Sequence, residues 1–359
     1  MKALMFTPGK ENSAILKEIP APPLEDGSLL VKMKAIGICG TDRELLSGKY
    51  GEAPKNSTEM IIGHESLGEI IEAPLGSGFV KGDLVVGVVR RPDPIPCSNC
   101  AIGEWDMCKN GLYTERGIKQ RNGYCSEQYR LEPEFAIKVP PRLGELGVLV
   151  EPASVVAKAW EHIEKIGHRA AFTPAKVLIT GAGPVGLLAA MMGVQRKLEV
   201  HILDKVNEGL KPSLVQELGI TYHSNIQALE SLAEKFDIVL ECTGSGELVI
   251  DVIRLGGPNS IVCLVGMSSR ARSLAIDMNS LNKEIVLENE VIFGSVNANL
   301  RHYRLAEESL LRAPPDWLKK LITRKIPLSQ WQEGLSQPKN INDIKMVIVP
   351  DDQIQDKPN

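Results

Sequence analysis

An apolar strand that runs into a glycine-rich turn restricts the fold of this chain more than any other feature. Residues 177–180 read VLIT, and the turn after them reads Gly181-Ala182-Gly183-Pro184-Val185-Gly186. In such a turn the first glycine permits the tight bend, the second lets the backbone approach a pyrophosphate, and the third lets the helix pack closely on the strand. Pro184 and Val185 open the helix whose amide groups would hold the pyrophosphate. The segment predicts a dinucleotide pocket.

An acidic residue after the next strand bears on which dinucleotide is bound. Asp204 lies 18 residues past Gly186, where a carboxylate can bond the ribose hydroxyls and favour NAD. Lys205 and Lys211 follow it and could pair with a 2′-phosphate. NAD is therefore the expected cofactor, and NADP stays open.

The chain changes character near residue 150. Before it, short apolar runs alternate with Gly and Pro, which predicts a β-rich part over residues 1–150. After it, strands alternate with helices, which predicts a doubly wound parallel sheet over 151–298. The fold class is α/β, with a last segment over 299–359. The strands of the sheet are predicted at 176–180, 199–203, 237–241, 260–265 and 291–296, and its helices at 184–196, 210–218 and 247–255.

Composition excludes several classes of protein. A chain of 359 residues is long enough for about two domains. A net charge of −4 and a pI near 6.0 give no attraction to nucleic acid or anionic lipid. No apolar run is long enough to span a bilayer, and the first residues do not resemble a secretory signal. Seven cysteines, three of them close together, fit metal binding in a reducing cytoplasm better than disulfides.

Three short segments supply the ligand types of a catalytic zinc. Cys39 offers a thiolate, and His64-Glu65 offers an imidazole beside a carboxylate. Glu151 is a further carboxylate at the point where the β-rich part ends. Cys, His and Glu are the ligands that zinc takes when one position stays open for substrate. Zinc together with a dinucleotide predicts alcohol oxidation by hydride transfer.

Taken together, these segments resemble the zinc-containing medium-chain dehydrogenases over nearly the whole chain. The resemblance implies a GroES-like β-rich catalytic domain, completed by residues that return after a Rossmann domain. It places the zinc on Cys39, His64 and either Glu65 or Glu151. It places the proton-transferring hydroxyl on Thr41, and it puts Glu44 where many members have a relay histidine. The turn that contains Thr243 resembles the nicotinamide-side turn of the family.

A narrower resemblance is to the glucose (aldose) dehydrogenase branch. It is carried by Glu115-Arg116-Gly117-Ile118, by the segment around Glu151 and by Gly294-Ser295-Val296-Asn297-Ala298. In that branch residues matching Glu115 and Asn297 contact sugar hydroxyls, Glu151 lies at the substrate, and Arg90 and Arg91 face the same neighbourhood. The implied reaction oxidises an aldose, glucose first, at C1 and gives an aldonolactone.

The resemblance also implies a structural zinc in a lobe of four cysteines, from which this chain departs. Cys97, Cys100 and Cys108 keep the C-x2-C-x7-C spacing of the last three positions. Pro94 stands at the first position and cannot bind a metal through its side chain. A closed zinc site needs four ligands. Either Asp93 substitutes or the lobe is free of metal.

Two other functions stay open at this point. A polyol, amino-alcohol or other secondary-alcohol dehydrogenase would use the same zinc centre on another substrate. A non-catalytic dinucleotide-binding protein or a zinc-free quinone reductase is the more distant alternative, because such proteins would lack the zinc ligands. The expected partner is a small sugar or alcohol, with neither nucleic acid nor membrane, and the expected assembly is a homodimer or homotetramer.

Overall fold

The chain forms two compact units in a computed structural model, which describes residues 1–232, 235–267, 273–335 and 340–353. One unit contains Met1–Ser154 and Asn297–Asn359 and is called the split unit below. The other contains Val155–Val296 and is called the central unit. The domain division proposed from the sequence, after residues 150 and 298, stays a prediction.

Strands dominate the described residues before position 140, and helices become frequent after it. The strands are β1 (Lys2–Phe6), β2 (Ile15–Glu18), β3 (Leu29–Ile38), β4 (Met60–Ile61), β5 (Glu65–Glu72), β6 (Leu84–Gly87), β7 (Arg90–Arg91), β8 (Thr114–Arg116), β9 (Gln120–Arg121), β10 (Gln128–Leu131), β11 (Ala136–Lys138), β12 (Lys176–Thr180), β13 (Glu199–Leu203), β14 (Thr221–His223), β15 (Phe236–Glu241), β16 (Gly256–Leu264), β17 (Val291–Gly294), β18 (Ile322–Pro327) and β19 (Lys345–Val349). The helices are α1 (Gly40–Leu46), α2 (Val150–Gly167), α3 (Pro184–Gln195), α4 (Leu210–Glu217), α5 (Gln227–Glu230), α6 (Gly246–Ile253), α7 (Met278–Leu287), α8 (Leu300–Arg312), α9 (Pro315–Leu321) and α10 (Gln332–Leu335).

The split unit is built from mostly antiparallel sheets that pack on an apolar core, with parallel pairing only in β18–β19 and β8–β9 among its described strands. Its main sheet has the order β11-β6-β5-β3-β19-β18, and β10 also pairs with β3. Two small sheets have the orders β2-β1-β4 and β7-β8-β9. In the first half of β3 buried and more exposed residues alternate, as expected of a strand with one face on a core. The late strand β19 pairs with β3, so residues from the end of the chain complete a sheet begun near residue 29.

The central unit is a parallel sheet of the Rossmann type. Its strand order is β14-β13-β12-β15-β16-β17, in which β12 and β15 lie side by side although β13 and β14 come between them in sequence. The order of the connections reverses at that pair, and ligands of such sheets bind there, at the carboxyl ends of the strands. The four residues Val177 to Thr180 are all buried, which explains why their sequence is a continuous apolar run rather than an alternating one.

Most elements of the central unit agree with the sequence-based prediction, but some bounds differ and some short elements were missed. The strands predicted at 176–180 and 199–203 have those bounds in the structure. The strand predicted at 291–296 ends at Gly294, and the one predicted at 260–265 begins four residues earlier, at Gly256. The prediction missed β14, whose three residues Thr221–His223 have no apolar pattern, and it also missed the helices α5 and α7.

Within the described residues, no helix is both long and apolar enough to cross a membrane.

A single carboxylate in the split unit is bonded by three arginines. Glu132 Oε2 lies 2.7 Å from Arg91 Nη2 and 3.3 Å from Arg116 Nη2. Its Oε1 lies 2.6 Å from Arg121 Nη1 and 3.3 Å from Arg91 Nε. Burial alone would raise the pKa of Glu132, but the three guanidinium groups lower it to about 2. The cluster ties β7, β8 and β9 to the segment after β10.

We expect Glu132→Gln to lower the free energy of unfolding by roughly 2–4 kcal/mol near pH 7, because it leaves partly buried arginines without their counter-ion. A depressed carboxyl pKa stabilises the fold above the ordinary value of 4.5, and this stabilisation is lost as the pH falls toward 2. The difference in unfolding free energy between the wild type and Glu132→Gln should therefore become smaller below pH 4.5, as measured by urea unfolding.

The control is Glu134→Gln, which removes a charge from an exposed side chain two residues away. It should leave the unfolding free energy within about 0.5 kcal/mol of the wild type. An equal loss in both variants, or a Glu132→Gln difference that does not change with pH, would contradict the role given to the arginine cluster.

Candidate active site

The three predicted zinc ligands lie together where β3 ends and β5 begins. Cys39 follows β3 directly and is the N-cap of α1, and its backbone N–H donates to Asp42 Oδ2 at 2.9 Å. Glu65 is the first residue of β5 and pairs in register with Gly37 of β3. A Cβ at Gly37 would collide with Glu65 Oε2, so glycine is the residue that leaves room for this carboxylate. Strand pairing brings together ligands that are about 25 residues apart in sequence.

The distances in this pocket fit a shared cation. Cys39 Sγ lies 3.1 Å from His64 Nε2. One ligand atom each from Cys39, His64 and Glu65 lies within 4.8 Å of the other two. His64 and Glu65 are buried, with 6% and 2% of their surface exposed. Thiol, imidazole and carboxylate are the ligand set of catalytic zinc sites.

The electrostatics of the pocket favour a positive charge. Burial alone would lower the pKa of His64, but Cys39 and Asp42 hold it well above its ordinary value. Asp42 Oδ1 lies 3.4 Å from His64 Nδ1, the nitrogen that faces away from Cys39. A carboxylate behind a histidine fixes the orientation of the ring and makes it a better metal ligand.

Two further groups border the pocket, Lys345 of β19 and Glu151 in the first turn of α2. Lys345 Nζ forms a buried ion pair with Glu65 Oε2 and donates to the carbonyl of Ile38 at 3.2 Å. Burial raises the pKa of Glu151 to about 7, and the nearby Glu65 carboxylate adds to the shift. Acidic side chains and a thiol outnumber the cations in this pocket, and a zinc ion would balance them.

Thr41 and Glu44 lie on α1, next to Cys39. They are three residues apart on a helix and therefore share a face. Both side chains are partly exposed, unlike the zinc-ligand candidates His64 and Glu65. Their predicted roles in proton transfer stay predictions.

In the central unit the glycine-rich turn joins β12 to α3 as the sequence predicts. Gly181 has a φ of +85°, a left-handed conformation that favours glycine. A Cβ at Gly186 would collide with the carbonyl oxygen of Gly181, so the helix can start at this point only with glycine in that position. A Cβ at Gly183 would meet nothing within 4 Å, which leaves open space for a phosphate against the backbone. Pro184 and Val185 are the first residues of α3.

The Asp204 side chain is held against this turn. Its Oδ2 accepts from the backbone N–H of Ala182 at 2.7 Å, and its Oδ1 accepts from that of Val206 at 3.0 Å. Lys211 Nζ lies 3.3 Å from Oδ2, whereas Lys205 is exposed. The carboxylate therefore lies beside the glycine turn, and Lys211 is the lysine paired with it.

Sequence reasoning gave no role to Glu241, which is fully buried at the carboxyl end of β15. Its Oε1 accepts from Thr180 Oγ1 at 3.2 Å and from the backbone N–H of Thr243 at 2.7 Å. Thr243 Oγ1 and the Gly244 N–H also donate to this carboxylate. Glu241 thus shapes the turn that contains Thr243 at the point where β12 and β15 lie side by side.

The three lobe cysteines also come together. Cys97, Cys100 and Cys108 offer sulfur atoms within 4.8 Å of one another. Backbone N–H groups of Cys100 and Lys109 point at Cys97 Sγ at 3.5 and 3.4 Å and lower the pKa of this thiol to about 6. Asp93 is buried, and its Oδ2 lies 4.0 Å from Cys108 Sγ. The Asp93 carboxylate therefore lies beside the cysteines, next to Pro94, whose side chain has no metal-binding group.

The two predicted sugar-contacting residues are bonded to each other although they are 182 positions apart. Asn297 Nδ2 donates to Glu115 Oε1 at 2.6 Å. Arg90 Nε donates to the same oxygen at 3.0 Å. Glu115 is buried, with 4% of its surface exposed. The structure therefore joins Glu115, Asn297 and Arg90 in one network.

Two groups of the metal pocket, Asp42 and Lys345, were not assigned a role in the sequence analysis. Asp42 had a local signal, since it stands three residues after Cys39 at the start of a helix, where a carboxylate closes a capping box. Lys345 had none, because it is 280 positions from Glu65 and its neighbours in sequence form an ordinary apolar strand.

Comparison with known proteins identifies the family of this chain. A family model for the alcohol dehydrogenase GroES-like domain matches residues 25–141. A model for the glucose dehydrogenase C-terminus matches residues 144–349, more than half of the chain. The chain belongs to the glucose dehydrogenase family of the zinc-containing medium-chain dehydrogenases. The GroES-like and Rossmann fold class predicted from the sequence is thereby confirmed.

Relatives in the glucose dehydrogenase family match the chain from end to end. A glucose 1-dehydrogenase of Methanocella arvoryzae is 38% identical over 97% of this chain and 99% of its own length. One of Thermoproteus tenax is 37% identical, with the same coverage of both chains. The solved structure of Haloferax mediterranei glucose dehydrogenase in complex with NADP, Zn and gluconolactone has a TM-score of 0.88 at 29% identity, and it covers 97% of this chain and 99% of its own.

Proposed function

We propose that this protein is a zinc-dependent, NAD(P)-dependent dehydrogenase that oxidises an aldose, glucose first, at C1 and releases an aldonolactone. The observation that carries the sugar assignment is the hydrogen bond of 2.6 Å between the partly buried Asn297 and the buried Glu115. A carboxylate and an amide can together bond several hydroxyl groups. The full-length similarity to glucose 1-dehydrogenases supports the same substrate class.

The residues of the metal pocket would hold and use the catalytic zinc. Cys39, His64 and one of the two carboxylates, Glu65 or Glu151, would be its ligands. When bound, zinc lowers the pKa of an alcohol and stabilises the alkoxide that develops as hydride leaves. The Thr41 hydroxyl would accept the proton that leaves the C1 hydroxyl while it gives its own proton to Glu44, which lies on the same face of α1.

The glycine turn and its neighbours would bind the dinucleotide, whose nicotinamide ring supplies the hydride acceptor. The amides at the start of α3, including those of Val185 and Gly186, would hold the pyrophosphate. Asp204 would accept bonds from the adenosine ribose, and Thr243 would line the nicotinamide side. A 2′-phosphate would meet a negative charge at Asp204, so the proposal favours NAD and leaves NADP as a second cofactor.

The proposal extends to the lobe, the assembly and the compartment. Asp93 would be the fourth ligand of a structural zinc on Cys97, Cys100 and Cys108. A homodimer would form along the edge strand β17, and pairs of dimers would give a tetramer. Val286 and Leu287 just before β17 are 64% and 65% exposed, and Val296 just after it is 54% exposed. The compartment would be a reducing cytoplasm, since all seven cysteines are free thiols.

Of the predictions from the proposed function, the first concerns zinc content. We expect elemental analysis to find two zinc ions per chain, one in each proposed site. The double variant Cys39→Ser, His64→Ala should lose one zinc and at least a thousandfold in kcat, since the Lewis acid is gone. Cys100→Ser should lose the other zinc and resist heat less well, while it keeps turnover.

Cys263→Ala is the matched control, because Cys263 is a buried core cysteine of the central unit. It should keep both zinc ions and normal turnover. A Cys39→Ser, His64→Ala protein that keeps full activity after chelation would show that the catalytic metal is not held at this pocket.

The second prediction concerns the cofactor. Asp204→Ala should shift the ratio of kcat/KM values for NAD and NADP toward NADP by roughly tenfold, because a close like-charge contact of about 1.4 kcal/mol disappears. Lys211 would then be free to pair with the 2′-phosphate. Glu208→Ala, which removes an exposed charge from the same loop, should leave the ratio unchanged. An unchanged ratio in Asp204→Ala would mean that this carboxylate does not face the ribose.

The third prediction concerns the substrate. Glu115→Gln and Asn297→Ala should each lower kcat/KM for glucose by roughly tenfold to a hundredfold, because a sugar hydroxyl loses a hydrogen-bond partner. The KM for NAD should not change. The wild type should be compared on glucose, galactose, xylose, sorbitol, threonine and ethanol. If sorbitol, ethanol or threonine is turned over much better than any aldose, the sugar assignment fails and a polyol, amino-alcohol or other secondary-alcohol dehydrogenase replaces it.

A further inference from the structure

Arg90 and Glu115 form a buried ion pair in which only one of the two carboxylate oxygens is bonded. They are direct partners across the antiparallel strands β7 and β8. Arg90 Nε and Nη2 each lie 3.0 Å from Glu115 Oε1. Asn297 Nδ2 donates to that same oxygen at 2.6 Å. Three donors therefore converge on Oε1 of one carboxylate.

The other oxygen of Glu115 is left for a ligand. No donor among the described residues bonds Oε2, and this atom is not among the buried polar atoms without a partner, so solvent can reach it. As a carboxylate, Glu115 can only accept hydrogen bonds. A hydroxyl group of a ligand is the donor that suits Oε2.

Arg90 itself is not free to bind a ligand. Its Nη1 donates to the carbonyl of Asp106 at 3.0 Å, and its guanidinium lies 3.7 Å above the ring of Tyr113. The side chain is buried, with 5% of the residue surface exposed. The Asp106 carbonyl and the Tyr113 ring therefore fix the guanidinium, and its Nε and Nη2 side fixes Glu115.

A nearby tyrosine interacts electrostatically with this carboxylate and with one residue of the metal pocket. Burial raises the pKa of Tyr50, the Glu115 carboxylate adds to the shift, and His64 opposes it. Tyr50 therefore lies within electrostatic range of both the zinc-ligand candidate and Glu115. It is 45% exposed, so the space beside it is open.

We propose that Arg90 is a positioning residue for sugar recognition: with Asn297 it occupies Glu115 Oε1 and presents Oε2 to one hydroxyl of the bound aldose. The inference rests on the proposed function. It adds that Glu115 Oε2 is the atom that accepts a hydrogen bond from the sugar hydroxyl and that Arg90 orients this atom. Lysine at position 90 would keep the charge but could neither make the forked contact nor stack on Tyr113 as a plane.

The test measures whether the loss of kcat/KM caused by removing one sugar hydroxyl depends on the presence of Arg90. Wild type and Arg90→Lys are assayed on glucose and on 2-, 3-, 4- and 6-deoxyglucose. For the wild type, removal of the hydroxyl that Oε2 accepts should lower kcat/KM by roughly tenfold to a hundredfold. In Arg90→Lys the KM for glucose should rise by a similar factor, kcat should change by less than about threefold, and the penalty for that one deoxy sugar should largely disappear.

Two variants separate positioning from folding. Arg91→Lys alters the neighbouring strand residue, which pairs with Glu132, and should lower the melting temperature without changing any sugar KM. Tyr113→Leu removes the ring under Arg90 and should reproduce the Arg90→Lys pattern in weaker form. It serves as the second test if Arg90→Lys does not fold, as judged by circular dichroism.

The outcomes are distinct. If Arg90→Lys loses the same factor on glucose and on every deoxy sugar, or loses nothing, Arg90 does not aim Glu115 and the inference is overturned. A wild type that oxidises glucose but shows no penalty for any deoxy sugar overturns it as well, while the proposed function stands. If the wild type oxidises no aldose, the proposed function fails and the inference falls with it.

Discussion

The buried ion pair between Glu65 and Lys345 is the contact on which the rest of the site depends. Glu65 begins β5 beside Cys39 and His64, and Lys345 begins β19, 280 positions later. An acid cannot stay buried among a thiol and other acids unless a cation compensates it. The charge balance of the metal pocket therefore requires the end of the chain to return and pair with β3.

The metal pocket therefore depends on pairing between strands that are far apart in the sequence. The sheet of the split unit cannot be completed until the central unit and the residues after it have been made, since β19 lies next to β3. Closing a loop of that length costs more conformational entropy than closing a short one. The dinucleotide turn is different: β12, the turn and α3 are consecutive, so their geometry is fixed by local contacts such as that between Gly181 and Gly186.

This difference explains what could be predicted from the sequence. The glycine turn, Asp204 and the strands at 176–180 and 199–203 could be predicted because the pattern that encodes them is continuous in sequence. The zinc-ligand candidates could be found from their residue types, but the pocket's counter-charge at Lys345 could not, since nothing near it in sequence marks it. Glu241 combines a local and a non-local feature. It is next to the Thr243 turn in the sequence, but its hydrogen bond with Thr180 depends on the pairing of β12 and β15 in the folded sheet.

Two neighbouring arginines show how the same chemistry can serve stability at one carboxylate and recognition at another. Successive residues of a strand point to opposite faces, so Arg90 and Arg91 of β7 reach different acids. Arg91 meets Glu132, where guanidinium groups occupy both carboxylate oxygens and nothing is left for a ligand. Arg90 meets Glu115, where the donors converge on Oε1 alone. A carboxylate saturated by its neighbours can only hold the fold together, whereas one bonded on a single oxygen is both fixed in place and able to bind. The two acids therefore differ in how many of their carboxylate oxygens have no donor among the described residues. That number depends on the folded geometry and cannot be predicted from two adjacent arginines in the sequence.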